Sequence, residues 1–426
     1  MERDAEYPLT IARLDAAWEV LTRLEQAGFQ AYLVGGCVRD MLLGLSPEDY
    51  DVTTNALPEQ VQDLFPHTVP TGIPHGTVSV LIGGERIEVT TFRKEEGYLD
   101  GRRPTRVEFV DDLRMDLSRR DFTFNAMAMD SRGKLQDPFH GRADLQSRLV
   151  RAVGKADERF REDALRMLRA VRFATMLNAT IEEGTRLAIR RQSHLIVHIS
   201  RERIRDEWNK ILVMDLPIAL KHLTETDLLQ KLFPRLHDCA SPKWMQAAEM
   251  ANRLPPQQQI RQAALFWGLG INVTTATECL RELRQPTAFI RNVTAILKAI
   301  PNTDPFAWSS KLWRHYLYLC GKDAAHSGML IYCLSRPELL KPLMCLFNEQ
   351  VSKQPIWSAR DLAVTGRDIA SSLKITPGPK IGKIRQYLID LVLENPSCNS
   401  RSVLLAAAAS FYETQQTDHS QEGNGP

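Results

Sequence analysis

The chain has 426 residues, 43% hydrophobic and 25% charged, with 54 basic against 52 acidic side chains. Its length exceeds what one hydrophobic core usually organises, and its composition is that of an ordinary globular protein, which excludes a disordered or fibrous class. The near-neutral charge neither demands nor excludes a nucleic-acid partner, so any RNA contact must come from a local patch.

The N-terminal MERDAEYPLT is acidic and carries no apolar core, and no long uncharged apolar run follows anywhere, so a cytoplasmic protein without a membrane segment is expected. Ile11, Leu14, Ala17, Trp18, Leu21 and Leu24 recur at helical spacing and stop at Gly28, which predicts an amphipathic helix. Gln30 to Val34 reads as a strand running into Gly35 and Gly36, followed by a brief helix, VRDMLLG, closed by Gly44. YDVTT reads as a further strand, and a helix from Pro58 to Phe65 starts on a proline suited to a first turn. TVSVLIGGERIEVTTF alternates apolar and polar residues on both sides of Gly83 and Gly84, the pattern of a hairpin.

From about Lys155 onward the pattern turns to long helical stretches rich in Leu, Ala, Arg and Glu, with no internal repeat. The fold class is therefore α+β: an N-terminal head with a mixed β-sheet and helices, then an all-helical remainder. The polar, aperiodic QQTDHSQEGNGP predicts a disordered end. The seven cysteines are scattered, without a C-x-x-C or an adjoining His cluster. That argues against zinc or a disulfide framework and for small buried hydrophobes.

Asp49 and Asp51 flank Tyr50 at a strand start, and a spacing of two directs both carboxylates to one face. Magnesium prefers such hard oxygen ligands and is completed by water and phosphate, so the pair suits phosphoryl transfer. The preceding LVGGCVRDMLLG supplies Gly35 and Gly36, where backbone can approach an anion, and Arg39, which can clamp a phosphate. Glu88, on the second hairpin strand, reads either as a third carboxylate aimed at the metals or as a solvated glutamate.

RRDFTFNAMAMD places Arg119, Arg120 and Asp121 beside an apolar run, and REDALRMLRAVRF places Asp163, Arg166, Arg169 and Arg172 at steps of three on an expected helix. Asp163 accepts and Arg166 donates hydrogen bonds, and together they match the pairing edge of cytosine or adenine. Guanine and uracil would set a carbonyl against Asp163. Arg120, Arg169 and Arg172 suit a triphosphate. The basic stretches RLAIRRQ, SRERIR and KIGKIR are either RNA-phosphate contacts or ordinary solvated faces.

The segments LVGGCVRDMLLGLSPEDYDV, EVTTFR, DGRRP, RRDFTFNAMAMD, DPFHG and REDALRMLRAVRFA resemble the class II tRNA nucleotidyltransferases, CCA-adding enzymes sharing a superfamily with bacterial poly(A) polymerases. The resemblance implies that Asp49 and Asp51 bind magnesium, that Gly36, Arg39 and Arg120 contact the nucleotide, and that Asp163, Arg166, Arg169 and Arg172 select it. The substrates would be CTP and ATP. It implies a head (1–150), a base-selecting neck (151–215), and a body (216–335) and tail (336–413) holding the tRNA acceptor arm, ahead of disordered 414–426. A homodimer stays open.

Asp100, Gly101, Arg102 and Arg103, in DGRRP, resemble the flexible loop needed for A addition, which disfavours an enzyme adding only CC. Full CCA addition and A-only addition both stay open, beside a poly(A) polymerase and a non-catalytic RNA-binding protein. His140 departs from the family's common glycine, and a local turn effect is expected there.

Overall fold

A computed structural model describes residues 6–98, 104–236 and 241–422. The chain divides into two compact units, Met1–Glu249 with Cys279–Gln285 and Met250–Glu278 with Pro286–Pro426. The first contains every candidate site residue that falls within the described chain.

Helix α1 (Glu6–Gln26) buries Ala17, Val20, Leu21 and Leu24 along one stripe. It ends at Gly28, whose positive φ of 89° lets the Gly28 and Phe29 amides reach back to the Glu25 and Leu24 carbonyls. Strand β1 (Ala31–Val34), helix α2 (Gly36–Leu42), strand β2 (Asp51–Thr54) and helix α3 (Pro58–Leu64) follow. Strand β3 (Thr68–Gly72), which the sequence reading does not include, precedes the predicted hairpin of β4 (Thr77–Ile82) and β5 (Glu85–Thr91). Gly83 and Gly84 sit at φ 59° and 81°, the double positive that a tight hairpin turn needs.

Strands β6 (Arg93–Tyr98) and β7 (Pro104–Phe109) pair as a separate antiparallel ribbon. The predicted loop residues Asp100, Gly101, Arg102 and Arg103 lie between them, outside the described residues. Helix α4 (Leu113–Ser118), strands β8 (Ala128–Met129) and β9 (Leu135–Gln136) and helix α5 (Gly141–Gln146) close the head. The seven-stranded sheet runs β3-β4-β5-β2-β1-β8-β9. It is mixed because β2 and β5 are parallel, in a register that sets Asp51 beside Glu88.

Helix α5 begins at Gly141, where a Cβ would collide with the Thr123 carbonyl. His140 just before it holds φ 61°, the left-handed region that glycine enters freely, so the departure from the family pattern does act on a turn.

A short parallel pair, β10 (Leu149–Val150) and β11 (Thr180–Ile181), brackets helices α6 (Ala156–Glu162) and α7 (Leu165–Met176). Helices α8 (Glu183–Gln192) and α9 (Arg201–Ile211) follow. Phe173 of α7 packs against Phe122 and Phe124, with ring centroids 5.7 and 5.4 Å away. All three rings are buried, and each contributes about 1.5–3 kcal/mol by leaving water. That aromatic joint fixes α7 against the RRDFTFN segment.

Within the second unit one core gathers Trp313, Leu317, Met329 and Phe347, and another gathers Ile369, Ile384, Leu388 and Leu404. Gly328 has no room for a Cβ against the Ala299 carbonyl, so two helices meet there backbone to backbone. The chain end departs from expectation: a helix runs Arg401–Glu422, so 414–422 is helical where disorder is predicted. The stretch holds no proline or glycine before Gly423, which lies outside the described residues.

Among the described residues no helix is long and apolar enough to cross a membrane. Cys37, Cys279 and Cys333 are buried as expected, whereas Cys345 is exposed.

Candidate active site

Asp51 opens β2, and Asp49 stands in the loop just before it with its side chain 89% exposed. The expected strand therefore starts one residue after Tyr50, and only Asp51 is held in the sheet. Crowding by protein is the largest influence on the Asp51 carboxyl and raises it above the ordinary aspartate value; Arg120 draws it down, and Glu88 and Asp49 push it further up. Glu88 is exposed and lies 3.7 Å from Arg86 across an ion pair, yet its register keeps it next to Asp51.

No trio of His, Cys, Asp or Glu among the described residues gathers tightly enough to hold a metal alone. Mutually repelling carboxylates at one strand end still fit magnesium. That ion takes one or two protein carboxylates and completes its shell with water and phosphate.

Gly35 precedes α2 at φ 81°, and a Cβ there would stand 3.0 Å from the Arg120 Nη1. The bare glycine thus lets a guanidinium lie on the turn. Gly36 opens α2, and no side chain caps the helix start. The Arg120 Nε is buried with no hydrogen-bond partner, and burial is the largest influence lowering the guanidinium against the opposing charge of Asp116. An orphaned buried donor beside a glycine turn is a place an anionic oxygen would complete.

Asp116 is fully buried, at 2.9 Å from Arg119 and 3.6 Å from Arg120. It also accepts from the Arg93 amide at 3.3 Å, at the base of the ribbon. Burial would raise this carboxyl, but the Arg119 and Arg120 charges and the Arg119 hydrogen bond hold it below the ordinary value. Arg39 is largely satisfied within the protein: Nε and Nη2 fork onto Asp40 at 2.8 and 2.9 Å, and Nη1 donates to Asn125 at 2.9 Å.

The arginines of α7 stand in order. Arg169 forks onto Asp121 at 2.8 and 2.6 Å, and Arg172 donates to Glu207 at 2.6 Å. Burial would raise Asp121, yet the Arg169 charge and hydrogen bonds from Asn125 and Arg169 hold it low. Arg39, Arg169 and Arg172 all lie over the Phe173 ring, at 5.3, 5.3 and 4.1 Å from its centroid.

Asp163 departs from the expected single helix. It ends α6 in an extended conformation, and its Oδ1 accepts the Leu165 amide at 3.0 Å at the start of α7. A capping aspartate competes with helix continuation, which breaks the row after Glu162. The Asp163 and Arg166 side chains also bond other partners and not each other: Arg203 forks onto Asp163 at 3.1 and 2.7 Å, and Arg166 donates to Glu162 at 2.6 Å and to the Arg119 carbonyl at 2.9 Å.

Sequence reasoning missed Asp116, Glu207 and the role of Arg203. Asp116 was visible only as an acid inside an apolar helical stripe, and Arg203 only as one cation of SRERIR. In RLAIRRQ the solvated reading gains support, since Arg186, Arg190 and Arg191 all sit in ion pairs with Glu183, Asp227 and Asp157.

Residues 31–151 match the profile of the Poly A polymerase head domain, residues 178–239 that of the RNA and SrmB- binding site of polymerase A, and residues 257–408 that of tRNA nucleotidyltransferase domain 2. Head and site together define a nucleotidyltransferase. The CCA-adding enzyme of Lactiplantibacillus plantarum is 37% identical over 92% of this chain and 95% of its own length. That of Bacillus cytotoxicus is 36% identical over 92% and 97%. The crystal structure of Bacillus stearothermophilus CCA-adding enzyme in complex with CTP is 32% identical, covers 95% of this chain and 99% of that one, and superposes with a TM-score of 0.79. The chain belongs to the CCA-adding enzyme family.

Proposed function

We propose that this enzyme adds C, C and A to the 3′ end of tRNA from CTP and ATP, without a nucleic-acid template, releasing pyrophosphate. The observation that carries the reading is the Arg120 guanidinium packed on Gly35, its buried Nε without a hydrogen-bond partner and its charge coupled to Asp51. A triphosphate and a divalent cation would complete those charges together.

Asp49 and Asp51 would hold magnesium, with Glu88 adding negative charge beside Asp51. When bound, magnesium neutralises phosphate charge and lowers the pKa of the tRNA 3′ hydroxyl. Arg120 binds the triphosphate beside the Gly36 turn, Arg39 supports that turn through Asn125, and Arg169 and Arg172 line the neck wall. Asp163 and Arg166 meet the Watson–Crick edge of the incoming base, so protein side chains choose C or A.

Asp100, Gly101, Arg102 and Arg103, outside the described residues, serve A addition. The functional divisions remain head 1–150, neck 151–215, body 216–335 and tail 336–413, the last two gripping the acceptor arm in the cytoplasm.

The test supplies magnesium, CTP and ATP with three tRNA transcripts, ending before CCA, after the first C, and after CC. Completion of all three to CCA is expected. Extension of only the CC transcript, by a single A, would make this the A-adding member of a split pair. Long oligo(A) on unrelated RNA would indicate a poly(A) polymerase, and no incorporation a non-catalytic RNA-binding protein.

A further inference from the structure

Asp163, the proposed reader of the base's amino group, is gripped by a residue forty positions away in sequence. A carboxylate offers about four acceptor positions. On Oδ1 two are taken, by the Arg203 Nη1 at 3.1 Å and the Leu165 amide at 3.0 Å; on Oδ2 one is taken, by the Arg203 Nη2 at 2.7 Å. One acceptor position on Oδ2 is left. Arg166 is treated alike: Nη1 donates to Glu162 and to the Arg159 carbonyl and Nη2 to the Arg119 carbonyl, which leaves Nε–H and one Nη2 hydrogen.

The remaining capacity is one acceptor on Asp163 and a short row of donors on Arg166. Cytosine and adenine present the complement, an amino hydrogen beside a ring-nitrogen acceptor. The ion pair is sheltered, with the Asp163 side chain 16% and Arg203 21% exposed, so its fork geometry is not diluted by solvent.

We infer that Arg203 is a positioning residue for nucleotide choice, fixing Asp163 so that it offers a single acceptor to the base. The inference rests on the base-reading role of Asp163 proposed above. Without the fork, only the Leu165 amide holds the carboxylate, which can then swing about that one bond and admit a water that donates to the uracil or guanine carbonyl, removing the penalty against the wrong base.

The experiment measures kcat/KM for CTP, ATP, UTP and GTP on tRNA transcripts ending before CCA and after CC, with Arg203→Gln, Arg203→Lys and Asp163→Ala beside the unaltered enzyme. Arg203→Gln should lower the CTP-over-UTP and ATP-over-GTP ratios by about tenfold or more. Arg203→Lys, which keeps the charge but not the fork, should fall between. If Arg203→Gln does not fold, the lysine variant decides by the same ratios.

Equal loss on all four nucleotides with the ratios kept, while Asp163→Ala loses them, overturns the role of Arg203 alone. Ratios kept in Asp163→Ala overturn the base-reading role itself, and the Arg203 inference with it.

Discussion

The head's carboxylate end and the neck's arginine wall are built on opposite principles. At the head, Asp51 is pushed up by the protein crowded around it and by its acidic neighbours, Asp49 projects into solvent, and the Arg120 Nε lacks a partner. Along the neck the residues proposed to select the nucleotide are engaged: Asp163 with Arg203, Arg166 with Glu162, Arg169 with Asp121, Arg172 with Glu207. On the proposed roles, chemistry is left for metal and substrate to complete, whereas choice is preorganised by the protein. Preorganised donors and acceptors discriminate because they cannot relax around a wrong base.

The sharpest break between the regions is Asp51→Ala. It should lower nucleotide incorporation about ten-thousandfold, because one ligand of a charge-neutralising site is gone. Because it removes an exposed residue at a strand end and relieves like charges, it should leave the melting temperature and tRNA binding nearly unchanged. Loss of fold in calorimetry would show that the open end is structural after all.

Arg169→Ala attacks the other region and should behave in reverse. It strands the Asp121 carboxylate, whose side chain is only 8% exposed, and should cost about 3 kcal/mol of stability in denaturant titrations. A change under about 0.5 kcal/mol, the size of an ordinary surface substitution, would place that ion pair among the solvated ones.

Acid should sharpen the contrast more gently. Asp116 and Asp121 sit below the ordinary aspartate value in the folded chain, so their contribution is complete above the unfolded value of about 4 and is lost as pH falls through the depressed folded values. Melting temperature should therefore fall with acid in that window, and Asp121→Asn should flatten the slope. The smallest effect is His140→Gly, which should stabilise by up to about 1 kcal/mol by relieving a left-handed histidine, with unchanged kcat.

The two regions also differed in how much their sequence disclosed. Local features were legible: Gly83 and Gly84 announced the hairpin, and a glycine turn followed by Asp-x-Asp announced the head. The parallel register that brings Glu88 beside Asp51 was not, because strand pairing across 37 positions leaves no local signature. Nor were the partners of the neck arginines. A cation in SRERIR looks the same whether it faces water or, as Arg203 does, grips Asp163. The α6–α7 break was hidden for another reason: Asp163 fits a helical row by spacing, yet its short side chain prefers to cap the next helix. Likewise the last turns of the helix to Glu422, with the sequence TQQTDHSQE, form without the apolar period that its earlier turns show.

If chemistry and choice reside in separate regions, removing one must spare the other. The direct measurement is equilibrium binding of CTP and of UTP to the Asp51→Asn enzyme loaded with a tRNA transcript ending before CCA. Binding without turnover that still favours CTP over UTP is the predicted result. Equal binding of the two would contradict the account, because choice would then depend on the carboxylate end it assigns to chemistry alone.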